Sequence, residues 1–228
     1  MSSTPATSIR SFVRREGRIT RAQRRALAEF WPLYGIDPGA EPVDLSRLFG
    51  RKVPVIMEIG CGNGDTLVEL AANGPHCDFV GVEVYRPGVG STLLKLRRWG
   101  LVNVRLFAQD AVDVLRDRIA AQTLTKILIF FPDPWPKKRH HKRRLIQPDF
   151  VCLAADRLVI GGQLHLATDC EDYAEHMLEV LASEEALRNT AADGGYAARP
   201  GYRPETKYER RGRGLGHAVR DVIFERRA

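Results

Sequence analysis

The 228-residue chain has no apolar run approaching the roughly 20 residues needed to cross a bilayer, so no membrane association is expected. Its N-terminal stretch, MSSTPATSIRSFVRREG, lacks the apolar core of a secretory signal, and a cytoplasmic location is expected on that ground. Cysteine is scarce. Cys61, Cys77, Cys152 and Cys170 form no CxxC pair and show no zinc spacing, a pattern that suits a reducing compartment better than a disulfide scaffold. His165, His176 and His217 are scattered and read as packed or surface residues, so no metal is expected. Two phosphate-binding loops are missing as well. There is no GxxxxGK[ST], and the dinucleotide fingerprint GxGxxG fails because Asp65 stands where its last glycine should be.

What is present is positive charge, unevenly spread. The net charge of +7 resolves into +5 for residues 1–35, −1 for 36–136, +6 for the eight residues 137–144, −8 for 145–198 and +5 for 199–228. Three basic blocks on a neutral or acidic body suit a polyanionic partner, most simply nucleic acid, although a solvated surface with a loose tail would give the same count. Residues 1–20, Arg-rich and poor in large apolar side chains, read as a flexible tail. The remainder, 21–228, has the length of one α/β domain.

Within that domain strand and helix alternate. Ala22 to Tyr34 reads as a helix that Pro32 is expected to end. VPVIMEI (53–59) is a continuous apolar run of the buried parallel kind. Further strands are expected over 78–84, 102–108, 126–131 and 163–168, with helices at 67–72, 89–99, 112–119, 148–159 and 173–181 and a closing strand at 218–226. This succession predicts a mostly parallel, doubly wound Rossmann-like sheet whose ligands sit at the carboxyl ends of the strands.

Chemistry-bearing residues fall at those ends. Glu58 leads into Gly60, Gly62 and Gly64, a loop that can turn sharply and approach a ligand closely. A carboxylate there is ill suited to a pyrophosphate but suits the cationic amino-acid end of S-adenosylmethionine. Glu83 follows the next strand, where it can accept from ribose hydroxyls, and Asp110 follows the third, where it can meet an adenine amine. After the fourth comes FPDPWP, three prolines stiffening a loop that carries Asp133 and Trp135, and then KKRHHKRR. Charge at that density can hold phosphates, while Trp135 reads mainly as a packing residue.

These segments carry a resemblance. ExGxGxG, GVEVYRPGVG, FPDPWPKKRHHKRR, ATDCEDYAEHML and PETKYERRGRGLGHAVRDVIFER resemble, in order and over nearly the whole chain, the bacterial tRNA (guanine-N7-)-methyltransferase family. The glycine loop is common to many methyltransferases; the PDPWPKKRHHKRR block and the TKYE segment are far more specific. The resemblance implies a class I methyltransferase fold with an antiparallel C-terminal strand. It also implies cofactor contacts from Glu58, Gly60, Gly62, Glu83 and Asp110, and a catalytic role for Asp133. Lys137, Asp169, Thr206, Lys207, Tyr208 and Glu209 correspond to substrate contacts, and Arg139, His140, His141, Lys142, Arg143 and Arg144 to an RNA-interaction segment. The implied substrate is the variable-loop guanine of tRNA, methylated at N7 by S-adenosylmethionine, with the enzyme acting as a monomer or a homodimer. Two other readings are an exocyclic-amine methyltransferase, whose motif typically carries a second proline where Trp135 stands, and an inert tRNA-binding module. The latter would be expected to lack Glu58, Glu83 or Asp133.

Overall fold

The computed structural model describes residues 17–206, 209–210, 214 and 218–228. Most of the expected flexible tail, together with Lys207, Tyr208 and His217, lies outside these residues.

The Thr20 hydroxyl accepts from the Gln23 amide while the Gln23 side chain accepts from the Thr20 amide, a capping box that starts α1 (Arg21–Tyr34). Pro32 lies inside this helix rather than ending it. So close to the C-terminus its missing N–H costs one hydrogen bond, to the carbonyl of Ala28, an exposed residue that water can serve. Two short elements went unread in the linker that follows: β1 (Gly35–Ile36) and α2 (Leu45–Phe49), the latter capped by Asp44 and closed by Gly50 in the left-handed conformation.

The alternation then runs as expected, with shifted bounds. It comprises β2 (Val55–Ile59), α3 (Asp65–Asn73), β3 (Asp78–Val82), α4 (Arg86–Trp99), β4 (Val104–Phe107), α5 (Ala111–Asp113) and β5 (Leu124–Phe130). After these come α6 (Pro148–Arg157), β6 (Leu158–Thr168), α7 (Glu171–Ala182), β7 (Leu187–Asn189) and β8 (Arg220–Arg226). The helix expected over 112–119 continues from α5 as a π-helical turn, Val114–Arg118. There the buried Arg118 reaches the Asp37 and Glu41 carbonyls, both at 2.8 Å, and so fastens the linker to the body.

The eight strands are ordered β1-β4-β3-β2-β5-β6-β8-β7. All pairings from β1 to β6 are parallel, and β8 lies antiparallel between β6 and β7. The C-terminal strand is therefore internal, shielded on its outer side by the unpredicted β7. Each face of the sheet buries its own apolar cluster, one around Met57, Ile129, Leu166 and Phe224, the other around Leu67, Phe79, Leu93 and Leu128. Burial on both faces explains why β2, β3 and β5 read as unbroken apolar runs.

The order reverses between β2 and β5, which opens a crevice above their carboxyl ends. Close packing of α4 shapes one wall of it. A Cβ on Gly88 would sit 2.5 Å from the Gly62 carbonyl oxygen, so only glycine lets the helix touch the loop after β2. Gly88→Ala should therefore destabilise the protein by about 1–3 kcal/mol through overpacking and weaken cofactor binding as well. Denaturant unfolding and a binding titration check both effects; unchanged values in both would show that α4 can yield.

Candidate active site

Glu58 lies in β2 and Glu83 directly follows β3, while Asp110 comes three residues after the end of β4. Strand pairing thus sets three carboxylates along one edge of the crevice. Asp133 follows β5, on the other side of the reversal. All four line a single cavity of about 910 Å³, together with Gly60, Gly62, Gln109 and Phe131.

The glycine loop has φ of 75°, 56° and 75° at Gly60, Gly62 and Gly64, left-handed values that favour glycine. It is held from several sides. Glu83 accepts from the Gly62 and Tyr85 amides through its two oxygens, each at 2.8 Å. Lys95 donates to the Asn63 carbonyl at 2.7 Å and pairs with Asp65. Asp110 accepts from the Val112 amide at 2.8 Å and caps α5. These contacts hold the loop from within the protein, so Glu83 and Asp110 both have structural work.

Glu58 differs from them. It is buried, and its Oε2 has no hydrogen-bond partner, as is also true of the buried Gln109 Oε1 on the same cavity wall. Burial, with the negative charges of Glu83 and Asp65 adding to it, pushes the Glu58 carboxyl up to about 8. Two unmet acceptors beside a glycine loop fit a ligand that brings N–H donors and positive charge. The ammonium and adenine groups of S-adenosylmethionine meet that description, so the residues present fit this cofactor.

Across the crevice, Phe131 and Trp135 have φ of 52° and 46°, a strained conformation for large side chains that brackets the Asp133 loop. The basic block winds into a 3-10 helix, Lys138–Arg143, a piece of structure not expected from its charge. Three residues per turn place every third residue on the same side and sort the block into faces. His140 meets the Trp135 ring edge-on with centroids 5.8 Å apart, and the Arg143 guanidinium lies 5.1 Å from that ring's centre. Lys137, Lys138, Arg139 and Lys142 are exposed.

Two of the expected contact residues are buried. Arg144 was expected to touch RNA, but its side chain is 1% exposed and turned into the protein. Glu209 was expected to touch substrate, but it is buried in a bidentate pair with Arg203, at 2.6 and 3.1 Å. Arg203 also donates to Asp221 of β8 at 3.1 Å. Asp221 in turn lies 2.7 Å from His165 Nε2, and His165 Nδ1 lies 2.7 Å from the Tyr202 hydroxyl. Nothing in the sequence marked this network, because its members are spread from 165 to 221. Its effect is to pin the segment leading to Pro204, Glu205, Thr206 and Arg210, all of which line the cavity. Thr206 accepts from the Glu209 amide at 3.1 Å, and Asp169 sits half-buried at the carboxyl end of β6. Among the described residues no cluster could hold a metal ion, and no helix is long and apolar enough to cross a membrane.

A parallel sheet with reversed strand order, a glycine loop after its first central strand and acids at successive strand ends define an S-adenosylmethionine-dependent methyltransferase of class I. Solved structures of that fold align with the chain. The 16S rRNA methyltransferase KamB superposes with a TM-score of 0.61 at 14% identity, covering 82% of this chain and 95% of that one. TrmN from Thermus thermophilus gives 0.53 at 18% identity, over 80% of this chain and 47% of that one. The family model described as "Putative methyltransferase" matches residues 52–222. Sequence relatives are closer. A tRNA (guanine-N(7)-)-methyltransferase of Nitrosomonas europaea is 55% identical over the full length of both chains. One from Aeromonas hydrophila subsp. hydrophila is 53% identical over 96% of this chain and 92% of its own. The chain belongs to the tRNA (guanine-N7-)-methyltransferase family.

The raised Glu58 gives the site a pH signature. Because the free protein holds Glu58 neutral at pH 7, binding a cation there must release a proton. Cofactor affinity should rise from pH 6 to pH 8 and then level off, whereas Glu58→Gln should bind more weakly with a flatter profile. The stability of the free protein carries the opposite trend. A folded carboxyl near 8 against an ordinary value of 4.5 contributes stability at low pH that is lost as pH rises between those values. Calorimetric titration at several pH values checks the first trend, and equal slopes for both proteins would remove Glu58 from the cation site.

Proposed function

We propose that this chain methylates N7 of the variable-loop guanine of tRNA, using S-adenosylmethionine, in the cytoplasm, as a monomer or a homodimer. The observation that carries this reading is that the two sides of the crevice differ in chemistry yet share one cavity. Unmet acceptors and a glycine loop stand on one side and the strained loop bearing Asp133 on the other, and that loop leads directly into the exposed basic turn. The names of the full-length relatives supply the tRNA guanine as substrate.

S-adenosylmethionine supplies an electrophilic methyl group on a sulfonium. Guanine N7 has an in-plane lone pair and no proton to lose, so the reaction needs no general base for attack. The protein's task is to place the purine in line and to exclude alternatives. Glu58, Glu83, Asp110 and the closely approaching backbone of Gly60 and Gly62 would hold the cofactor. Asp133 accepts from the Watson–Crick edge of the guanine, which orients the ring and stabilises the positive charge that builds on it during transfer. Thr206 and Asp169 close the pocket from neighbouring loops. Lys137, Lys138, Arg139, Lys142 and Arg143 hold flanking phosphates, an interaction that weakens steeply with salt.

Incubating the protein with labelled cofactor and unmodified bulk tRNA, then mapping the product by nuclease digestion and mass spectrometry, tests the reaction and its atom together. Label at N7 of the variable-loop guanine is the expected result. Label on an exocyclic amine would replace the proposal with that chemistry, and no label would leave only a binding module. Asp133→Ala should lower kcat by about a hundredfold or more, the scale on which oriented polar groups act, with cofactor affinity nearly unchanged. Parallel loss of both would make Asp133 a structural residue.

A further inference from the structure

Arg144 closes the basic block yet behaves unlike the rest of it. Its side chain is 1% exposed, and its contacts lead to different parts of the site. Nε donates to the Pro134 carbonyl at 3.0 Å, one residue beyond Asp133 in the strained loop. Nη2 pairs with Asp172 in the first turn of α7, three residues after Asp169. The same Nη2 lies 3.1 Å from His141 Nε2 in the 3-10 turn. The guanidinium covers the Tyr173 ring at 4.7 Å, and the Tyr173 hydroxyl accepts from the Ile146 amide at 3.3 Å. One planar cation therefore joins the Asp133 loop, the basic turn and the α7 end of the Asp169 loop. A guanidinium suits that task because its donors diverge in a fixed plane, whereas an ammonium can reach fewer partners with no preferred plane.

We propose that Arg144 is a positioning residue for methyl transfer, which sets the Asp133 loop against the basic turn and the Asp169 loop and makes no contact with RNA. The proposal rests on the tRNA-methylation reading above. The winding of the block supports it: His141 and Arg144 stand one 3-10 turn apart, and their mutual contact at the end of the helix faces inward, while Lys138, Arg139 and Lys142 stay in water. Asp172, 63% exposed on its side chain, has its carboxyl held below the ordinary range, chiefly by the hydrogen bond from Arg144. The charge of Arg144 is thus already directed to an internal partner, which leaves little of it for a phosphate.

The test separates positioning from phosphate binding. Arg144→Lys and Asp172→Asn are compared with Arg143→Ala, using steady-state tRNA methylation, tRNA affinity against salt, cofactor titration and thermal unfolding. Arg144→Lys should lower kcat about tenfold or more, since each 1.36 kcal/mol of misplacement is tenfold in rate. Its tRNA affinity and salt slope should stay close to those of the wild type. Arg143→Ala should raise KM and reduce the salt slope by about one, the signature of a lost phosphate contact. Asp172→Asn is the decisive arm, because it removes a negative charge near the RNA. If Arg144 served the RNA directly, freeing it from Asp172 would tighten binding; if it positions the loop, kcat falls and binding does not improve. A salt slope in Arg144→Lys that drops as in Arg143→Ala, with kcat retained, would overturn the proposal. An unfolded Arg144→Lys leaves the decision to Asp172→Asn, whose exposed side chain is tolerant of change. No transfer by the wild-type protein would instead refute the reading on which the proposal rests, and the positioning role with it.

Discussion

The reversal of strand order between β2 and β5 is the constraint on which the site depends. Parallel strands end their hydrogen-bonded ladder at one edge, and where neighbours run in opposite directions from a central pair, no connection covers that edge. The loops after β2 and β5 therefore face one another across an open crevice. One is made flexible in conformation by glycine and approached by α4; the other is stiffened by three prolines and held in left-handed φ at Phe131 and Trp135. A cofactor pocket and a substrate pocket arise from two loops because the sheet leaves only that place for them.

Charge within this chain serves two purposes that composition does not distinguish. Some cations are exposed for an anionic partner. Others are consumed inside the protein: Arg144 beneath the basic turn, Arg203 between Glu209 and Asp221, Arg118 on the carbonyls of the linker. Buried pairs of this kind add little net stability, since desolvation offsets most of the attraction. Their use here is directional. Arg203 and Arg144 each fasten a loop segment that has no regular ladder of its own, and both segments border the cavity.

Glu58 illustrates the opposite use of burial. In water it would be a carboxylate; against the apolar run of β2, and near Glu83 and Asp65, it remains neutral at pH 7. Its buried oxygen has no hydrogen-bond partner within the protein, which costs stability. A cationic ligand removes that cost, so the stability deficit of the free protein becomes part of the selectivity of binding.

The sequence alone determined the alternation of strands and helices, the glycine turn and the four acids at strand ends, because each depends on neighbours within a few positions. Apolar runs, turn residues and spacing are local signals. The short β1, α2 and β7 are not legible in the sequence, because two to five residues carry too little periodicity. Tertiary structure decided what local signals cannot: that the C-terminal strand lies between β6 and β7, that burial raises the Glu58 carboxyl, and that Glu209 pairs with Arg203. It also divided KKRHHKRR, which reads as one uniform run of charge. A helix of three residues per turn, wound over Tyr173 and Asp172, turns Arg144 inward and leaves Lys138, Arg139 and Lys142 in water. The direction of a side chain depends on what packs beneath it, and those partners lie about 30 residues away in the chain.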